Sequence, residues 1–165
     1  MIFKFKQHNS DLYNTLLYLS RNLYFYNKMN LKDSFETRVF LMFIHFSVML
    51  IVYKNKKNNF PQQEYDNLFY SIENNLRELG FGDIAVNKKM KNLNKIFYDI
   101  LLKINTKGQQ FKINENLIVK YFDELDDNKR IKYKLFEQYF LNFYHFCFEL
   151  CPKNMIKDAI KFKDR

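Results

Sequence analysis

The stretch Val39–Tyr53, VFLMFIHFSVMLIVY, decides the fold class, because it runs uncharged from Arg38 to Lys54. An α-helix over it would be about 22 Å long at about 1.5 Å per residue, which is short of the roughly 30 Å hydrocarbon core of a bilayer. His45 and Ser47 also lie near its middle. We therefore predict the buried central helix of a helical bundle, and a membrane-inserted segment is the alternative.

Helical spacing of apolar residues continues on both sides of this stretch, while 3 Gly and 2 Pro are too few for folds that need many turns. The predicted helices cover about residues 11–26, 34–53, 61–79, 86–104, 114–125 and 130–150. We expect Asp33 or Ser34 to cap the second helix and Gly80 to end the third. Residues 152–165 are expected to add a last turn or to fray. The sequence thus predicts an all-α fold, a single compact bundle of about six helices in one domain over residues 1–165.

The composition favours acidic partners. The net charge is +9, with 22 Lys, 5 Arg and 20 Asn but only 2 Ala. Such a composition is typical of nucleotide bias in a genome, so part of the charge needs no partner to explain it. The remainder favours RNA, anionic lipid or acidic protein. The 19 Phe and 12 Tyr exceed what a small core easily holds, so we also expect an exposed aromatic patch or groove.

The chain contains no recognisable catalytic or phosphate-binding motif, so we expect neither an enzyme nor a cofactor. His45 lies among Phe and Ile, which is typical of a core histidine. Cys147 and Cys151 share a helix face but His145 is turned away from it, so no metal site is predicted. An isoprenoid enzyme is the remaining catalytic alternative, and it lacks an aspartate-rich motif. The two thiols and the absence of a secretory signal in residues 1–10 favour the cytoplasm.

Two stretches carry polar residues that helical periodicity does not explain: residues 33–40, DSFETRVF, and residues 75–86, NLRELGFGDIAV. A Lys-Lys-Met-Lys run at residues 88–91 and a Phe-Tyr pair at residues 97–98 follow. Together they resemble the ubiquinol–cytochrome c chaperone family over about Asp11–Leu102. The run Leu-Arg-Glu-x-Gly-x-Gly-Asp is the most specific part of the resemblance.

The resemblance implies a non-enzymatic assembly chaperone for ubiquinol–cytochrome c reductase, respiratory complex III. Its implied partners are cytochrome b or another complex III subunit, and further the ribosome, a small partner protein or the inner-membrane surface, but not DNA. The implied location is cytoplasmic, including the cytoplasmic face of the inner membrane. The candidate client- or partner-binding residues are Arg38, His45, Arg77, Glu78, Gly80, Phe81, Gly82, Asp83, Val86 and Tyr98.

The turn Gly80-Phe81-Gly82 has two readings that are compatible with each other. In one, the turn presents Phe81 to a client while Arg77 and Asp83 hold its shape. In the other, the glycines only interrupt the helices, Asp83 caps the following helix and Arg77 pairs with a nearby acid.

A basic surface is predicted on the next helix. Lys88, Lys91 and Lys95 fall at i, i+3 and i+7, opposite Met90 and Phe97. This stripe suits rRNA phosphates or anionic headgroups, or is simply a solvated face. The alternative function is therefore a helical RNA- or ribosome-binding module that uses these three lysines.

Overall fold

The computed structural model describes residues 10–106 and 110–164. The protein is 74% helical, which confirms the all-α fold class. The helices are α1 (Asp11–Ser20), α2 (Leu23–Asn27), α3 (Phe35–Asn55), α4 (Gln62–Glu78), α5 (Asp83–Leu102), α6 (Glu115–Tyr121), α7 (Ile131–Glu149) and α8 (Pro152–Asp158). The expectation about a secretory signal falls almost wholly on residues 1–9, which lie outside the described residues.

Helix α3 is the centre of the fold, and α1, α5 and α7 pack around it. It begins after Ser34, whose hydroxyl accepts a hydrogen bond from the Thr37 N–H at 3.2 Å. Every residue from Leu41 to Met49 is buried, so the helix is apolar on all sides because other helices cover all sides. Its 21 residues also meet the length and hydropathy of a membrane span, but 67% of its most apolar window is buried inside the protein. The predicted buried central helix is confirmed.

The core holds most of the aromatic residues. Phe97 lies at the centre of one cluster, with its ring centroid 5.3 Å from Phe43, 5.4 Å from Phe46 and 5.5 Å from Phe69. The exposed aromatic side chains of the described chain are Tyr18, Tyr70, Phe81, Tyr98 and Phe148. The expectation of an aromatic surplus outside the core is therefore wrong for most of the rings, because helices on several sides of α3 bury them. The expected groove is present, and Phe35, Phe40 and Phe81 line it.

Two predicted boundaries are wrong. The first predicted helix divides into α1 and α2, because the Asn22 side chain accepts a hydrogen bond from the Tyr24 N–H at 3.0 Å and starts a new helix. Helix α5 begins at Asp83 rather than near residue 86. Asp83 is thus inside the first turn, and Gly82 occupies the cap position that was predicted for Asp83.

The part of the chain after α5 departs furthest from the prediction. Two short antiparallel strands of two residues each, β1 (Ile104–Asn105) and β2 (Lys112–Ile113), form a hairpin before α6. The C-terminal segment is not frayed, because α8 packs on α1 and buries Met155. The Thr15 hydroxyl donates to a carbonyl of α8 at 2.8 Å, which links the two helices.

Candidate functional site

The corner between α4 and α5 is closed by backbone hydrogen bonds. The Gly80 N–H donates to the Arg77 carbonyl at 3.0 Å, and the Phe81 N–H donates to the Leu76 carbonyl at 3.3 Å. This pair of bonds is the Schellman motif, which needs a left-handed residue after the helix. Gly80 supplies it with φ of +95°, as predicted. Gly82 has φ of −74°, so its backbone does not require glycine.

Arg77 ties the two helices together. Its guanidinium lies 3.2 Å from the Glu73 carboxylate, one turn earlier in α4, and 3.0 Å from the Asp83 carboxylate in the first turn of α5. The side chain is 41% exposed, so each ion pair contributes less than about 1 kcal/mol. Their main effect is to orient the two helices at the corner. The predicted pairing of Arg77 with a nearby acid is therefore present in the structure.

An apolar groove opens beside this corner, between the start of α3, the end of α4 and α5. We call it the larger groove, and its volume is about 400 Å³. Its lining residues are Phe35, Glu36, Phe40, Leu76, Leu79, Phe81, Lys89, Asn92, Leu93 and Ile96. The Lys89 ammonium lies 4.5 Å from the centroid of the Phe81 ring, a cation–π contact that holds Phe81 against the rim.

A second, smaller groove of about 250 Å³ lies between α1, α3 and α4. Its lining residues are Tyr13, Leu17, Arg21, Phe35, Arg38, Val39, Met42, Ile72, Asn75, Glu78 and Leu79. Phe35 and Leu79 line both grooves, so they form a shared apolar ridge. Leu79 is 59% exposed on this ridge, although it continues the helical spacing of Leu68, Ile72 and Leu76, which are buried.

A model of the ubiquinol–cytochrome C chaperone family matches residues 27–117, more than half of the chain. The chain belongs to this family. Nothing among the curated proteins or the solved structures matches it. Family membership supports a role in complex III assembly and in binding complex III components, and it implies a role other than catalysis.

The family segment contains every residue that lines the larger groove, and all the candidate site residues. Compared with the resemblance over Asp11–Leu102, it begins after α1 and extends through the hairpin into α6. Arg38 and Glu78 line the smaller groove and Phe81 lines the larger one. Motifs that are 40 residues apart in sequence thus meet on one side of the molecule.

Two candidate residues lie where a partner does not reach them. His45 and Val86 are both fully buried. The His45 Nδ1 lies 2.7 Å from the Leu41 carbonyl, which only accepts, so Nδ1 carries the proton and donates. The Tyr139 hydroxyl then donates to Nε2 at 3.0 Å. Burial lowers the pKa of His45 to about 3, so the ring stays neutral, and it supports the core as a satisfied polar group.

Tyr98 and the three lysines lie elsewhere, on the outer side of α5. Tyr98 is 53% exposed, and its hydroxyl is 3.5 Å from that of Tyr65. Lys88, Lys91 and Lys95 are all exposed, as the stripe predicted. The candidate residues therefore divide between the corner, the grooves, the core and a separate basic face.

The structure adds groove residues that the sequence did not single out, chiefly Phe35, Leu79 and Lys89. All three lie in segments that the sequence singled out, Phe35 in the first motif, Leu79 in the second and Lys89 in the Lys-Lys-Met-Lys run, but nothing in those segments marked them as groove residues. Among the described residues there is no group of three or more His, Cys, Asp or Glu side chains that suits a metal. Cys147 is buried, which raises the pKa of its thiol, whereas Cys151 is exposed.

Proposed function

We propose that the chain is a non-enzymatic assembly chaperone that holds an apolar segment of a complex III subunit, cytochrome b foremost, in the two grooves. The observation that carries the proposal is the shared ridge of Phe35 and Leu79. Both residues lie where the two family motifs meet. Because Leu79 is apolar and largely exposed, a ligand that buries its side chain binds with a more favourable free energy. Covering it would contribute about 1 to 2 kcal/mol, given about 1.5 to 3 kcal/mol for a whole Leu side chain.

The form of the grooves favours a helical ligand. Two adjacent apolar clefts separated by a ridge accept side chains that project from one face of a helix at i, i+3, i+4 and i+7. Cytochrome b is a membrane protein, and its spanning segments are apolar helices that need cover before insertion. Charged groups stand at the rims, with Glu36 and Lys89 on the larger groove and Arg38 and Glu78 on the smaller one. They are suited to orient the ends of such a segment.

The proposal is tested by photo-crosslinking in the native host. A photoreactive phenylalanine analogue is placed at Leu79, and the matched control carries it at Tyr70. Both side chains are 59% exposed, Tyr70 on α4 and Leu79 at its C-cap with helical dihedral angles, and a separation of nine residues puts them on opposite faces. We expect a crosslink to cytochrome b or another complex III subunit from position 79 only. Ribosomal protein or rRNA at position 79 would instead favour the RNA-binding alternative, and no crosslink to complex III would refute the proposal.

A substitution gives the functional readout. Leu79→Asp places a charge on the ridge without disturbing the core, and Tyr70→Asp is the control. A ridge residue that acts as a binding hot spot contributes about 2 kcal/mol, which corresponds to about 30-fold in Kd. We expect the heme absorbance of membrane cytochrome b to fall in the Leu79 variant and to stay at the wild-type level in the control. Equal levels in both strains would contradict the ridge as the client site.

A further inference from the structure

The outer face of α5 carries a continuous row of exposed residues that is separate from the grooves. Its members follow one another at spacings of four, three, four, three and four residues, which keeps them within about 80° around a helix axis. Along the axis the row is about 27 Å long at about 1.5 Å per residue. We call this row the outer face, and it consists of Ile84, Lys88, Lys91, Lys95, Tyr98 and Leu102.

The fold does not account for the outer face. Ile84 is 88% exposed and Leu102 is 80% exposed, although both are large apolar side chains. They lie at the two ends of the row, with the three lysines between them. None of these lysines forms an ion pair with another described residue. The core side of α5 is already covered, since Leu93 and Phe97 are buried on the opposite side.

The positive charge of the outer face is not cancelled by the acids beside it. Asp83 is paired with Arg77 at 3.0 Å. The Asp99 carboxylate is held by Lys103 at 2.7 Å and by Lys120 at 3.1 Å, and these contacts lower its pKa. Both acids of α5 are therefore already balanced, so the three lysines present their charge to whatever lies in front of the helix.

We propose that the outer face docks on the surface of an anionic lipid bilayer, with α5 parallel to the membrane plane. The three lysines meet lipid phosphates, Ile84 and Leu102 enter the boundary between headgroups and acyl chains, and Tyr98 lies at the polar interface. Surface-bound helices combine apolar anchors with lysines in this way, and tyrosine prefers the interface because its ring is apolar and its hydroxyl polar.

A bilayer fits the outer face better than RNA does. Phosphate contacts to RNA would use the lysines but would leave Ile84 and Leu102 in water. RNA recognition also relies on arginine stacking and on bases stacked on aromatic rings, whereas the outer face has no arginine and one aromatic ring. Docked in this way, α5 would hold the larger groove beside the membrane surface, since Lys89, Asn92 and Ile96 line that groove from the same helix. The inference does not depend on the identity of the client.

The electrostatic part is tested by co-sedimentation of the purified full chain with vesicles. One set contains about 30% phosphatidylglycerol in phosphatidylcholine and the other is phosphatidylcholine alone, both at about 0.1 M salt. A lysine near an anionic surface contributes about fivefold to partitioning, so replacing all three lysines of the outer face by Gln should reduce binding about 100-fold. The control replaces Lys153, Lys157 and Lys163 by Gln in and after α8, which packs on α1. Equal losses in the two triple variants would overturn the proposal, because they would reflect net charge alone.

The apolar part has its own matched pair. The variant Ile84→Ser/Leu102→Ser removes both anchors, and the control Leu23→Ser/Ile131→Ser removes two other exposed apolar side chains, 68% and 52% exposed. We expect at least about a tenfold loss of binding to anionic vesicles in the first variant and wild-type binding in the second. Binding to an rRNA fragment that depends on the three lysines but not on the anchors, without vesicle binding, would overturn the inference. Because lipid and protein are the only components, this failure is distinct from a failure of the client proposal.

Discussion

The corner between α4 and α5 allows one substitution to be predicted quantitatively. Gly80 has φ of +95° and nothing within 4 Å of the position of an added Cβ. In Gly80→Ala the cost is therefore backbone strain without a steric clash, about 1 to 2 kcal/mol for a left-handed non-glycine residue. Reduced entropy of the unfolded chain returns about 0.4 to 1 kcal/mol. We expect a net destabilisation of about 1 kcal/mol.

Gly82→Ala is the matched control, because it lies two residues away with the same open space but with φ of −74°. Gly82 is also the N-cap of α5, where alanine is less favourable than glycine. This cost offsets the gain of about 0.4 to 1 kcal/mol from the unfolded chain, so Gly82→Ala should stay within about 0.5 kcal/mol of wild type. The two variants should differ by about 1 kcal/mol in urea unfolding. For a chain of this size, 1 kcal/mol shifts Tm by about 2–4 °C. Equal stability of the two variants would refute the assignment of a strained left-handed position to Gly80 alone.

Three further predictions follow from charges and packing elsewhere in the molecule. Burial lowers the pKa of His45 to about 3, so the contribution of His45 to the free energy of unfolding should be constant above about pH 6.5. Below that pH the free energy of unfolding should fall by up to about 1.4 kcal/mol per pH unit, because only the unfolded state binds the proton. In urea unfolding at several pH values, His45→Gln should lose this pH dependence and the exposed control His145→Gln should keep it. Arg77→Gln should cost less than about 1 kcal/mol, and less at high salt than at low salt, because its ion pairs are exposed; an equal cost at both would contradict this. Phe162→Ala should cost about 3 kcal/mol in the same assay, since this ring is only 8% exposed, whereas Ile160→Ala should cost only about 1 kcal/mol, because Ile160 is 36% exposed.

The sequence predicts the fold well where the residues of a single helix are enough to show its apolar spacing and its end. The apolar stripe of α4 and the glycine after it are local features, and the structure has both. The break after Ser20 was missed because leucine spacing continues across Arg21 and Asn22, and only the Asn22 side chain shows where the second helix starts. The start of α5 was placed late because Ile84 faces outward and interrupts the apolar pattern. Ile84 lies on the outer face of α5, so it does not follow the spacing of the core residues.

The grooves could not be predicted from short stretches of sequence, because they depend on how distant segments pack together. The aromatic surplus was expected to form an exposed patch or a groove, but helices on several sides of α3 bury most of the rings, and only the packed structure shows which few line a groove. Leu79 has the spacing of a core residue and becomes a ridge only because α4 ends there, before another helix covers it. Phe35 belongs to a motif more than 40 residues away, so no sequence window contains the pair. The motifs indicated which segments matter, and the packing determines which side chains of those segments are accessible.

The corner between α4 and α5 joins the larger groove to the outer face, so its rigidity affects both proposed surfaces. Phe81 lines the larger groove, and three residues later Ile84 begins the outer face, with the Gly80 turn and the Arg77–Asp83 ion pair holding both in place. A client in the groove and a membrane under the outer face would therefore keep a fixed relative orientation. If the corner loosened, each surface would still bind separately, but a helix leaving the groove would no longer point consistently toward the bilayer. Loss of complex III assembly with both binding activities intact is thus the result expected for a variant that disrupts only this corner.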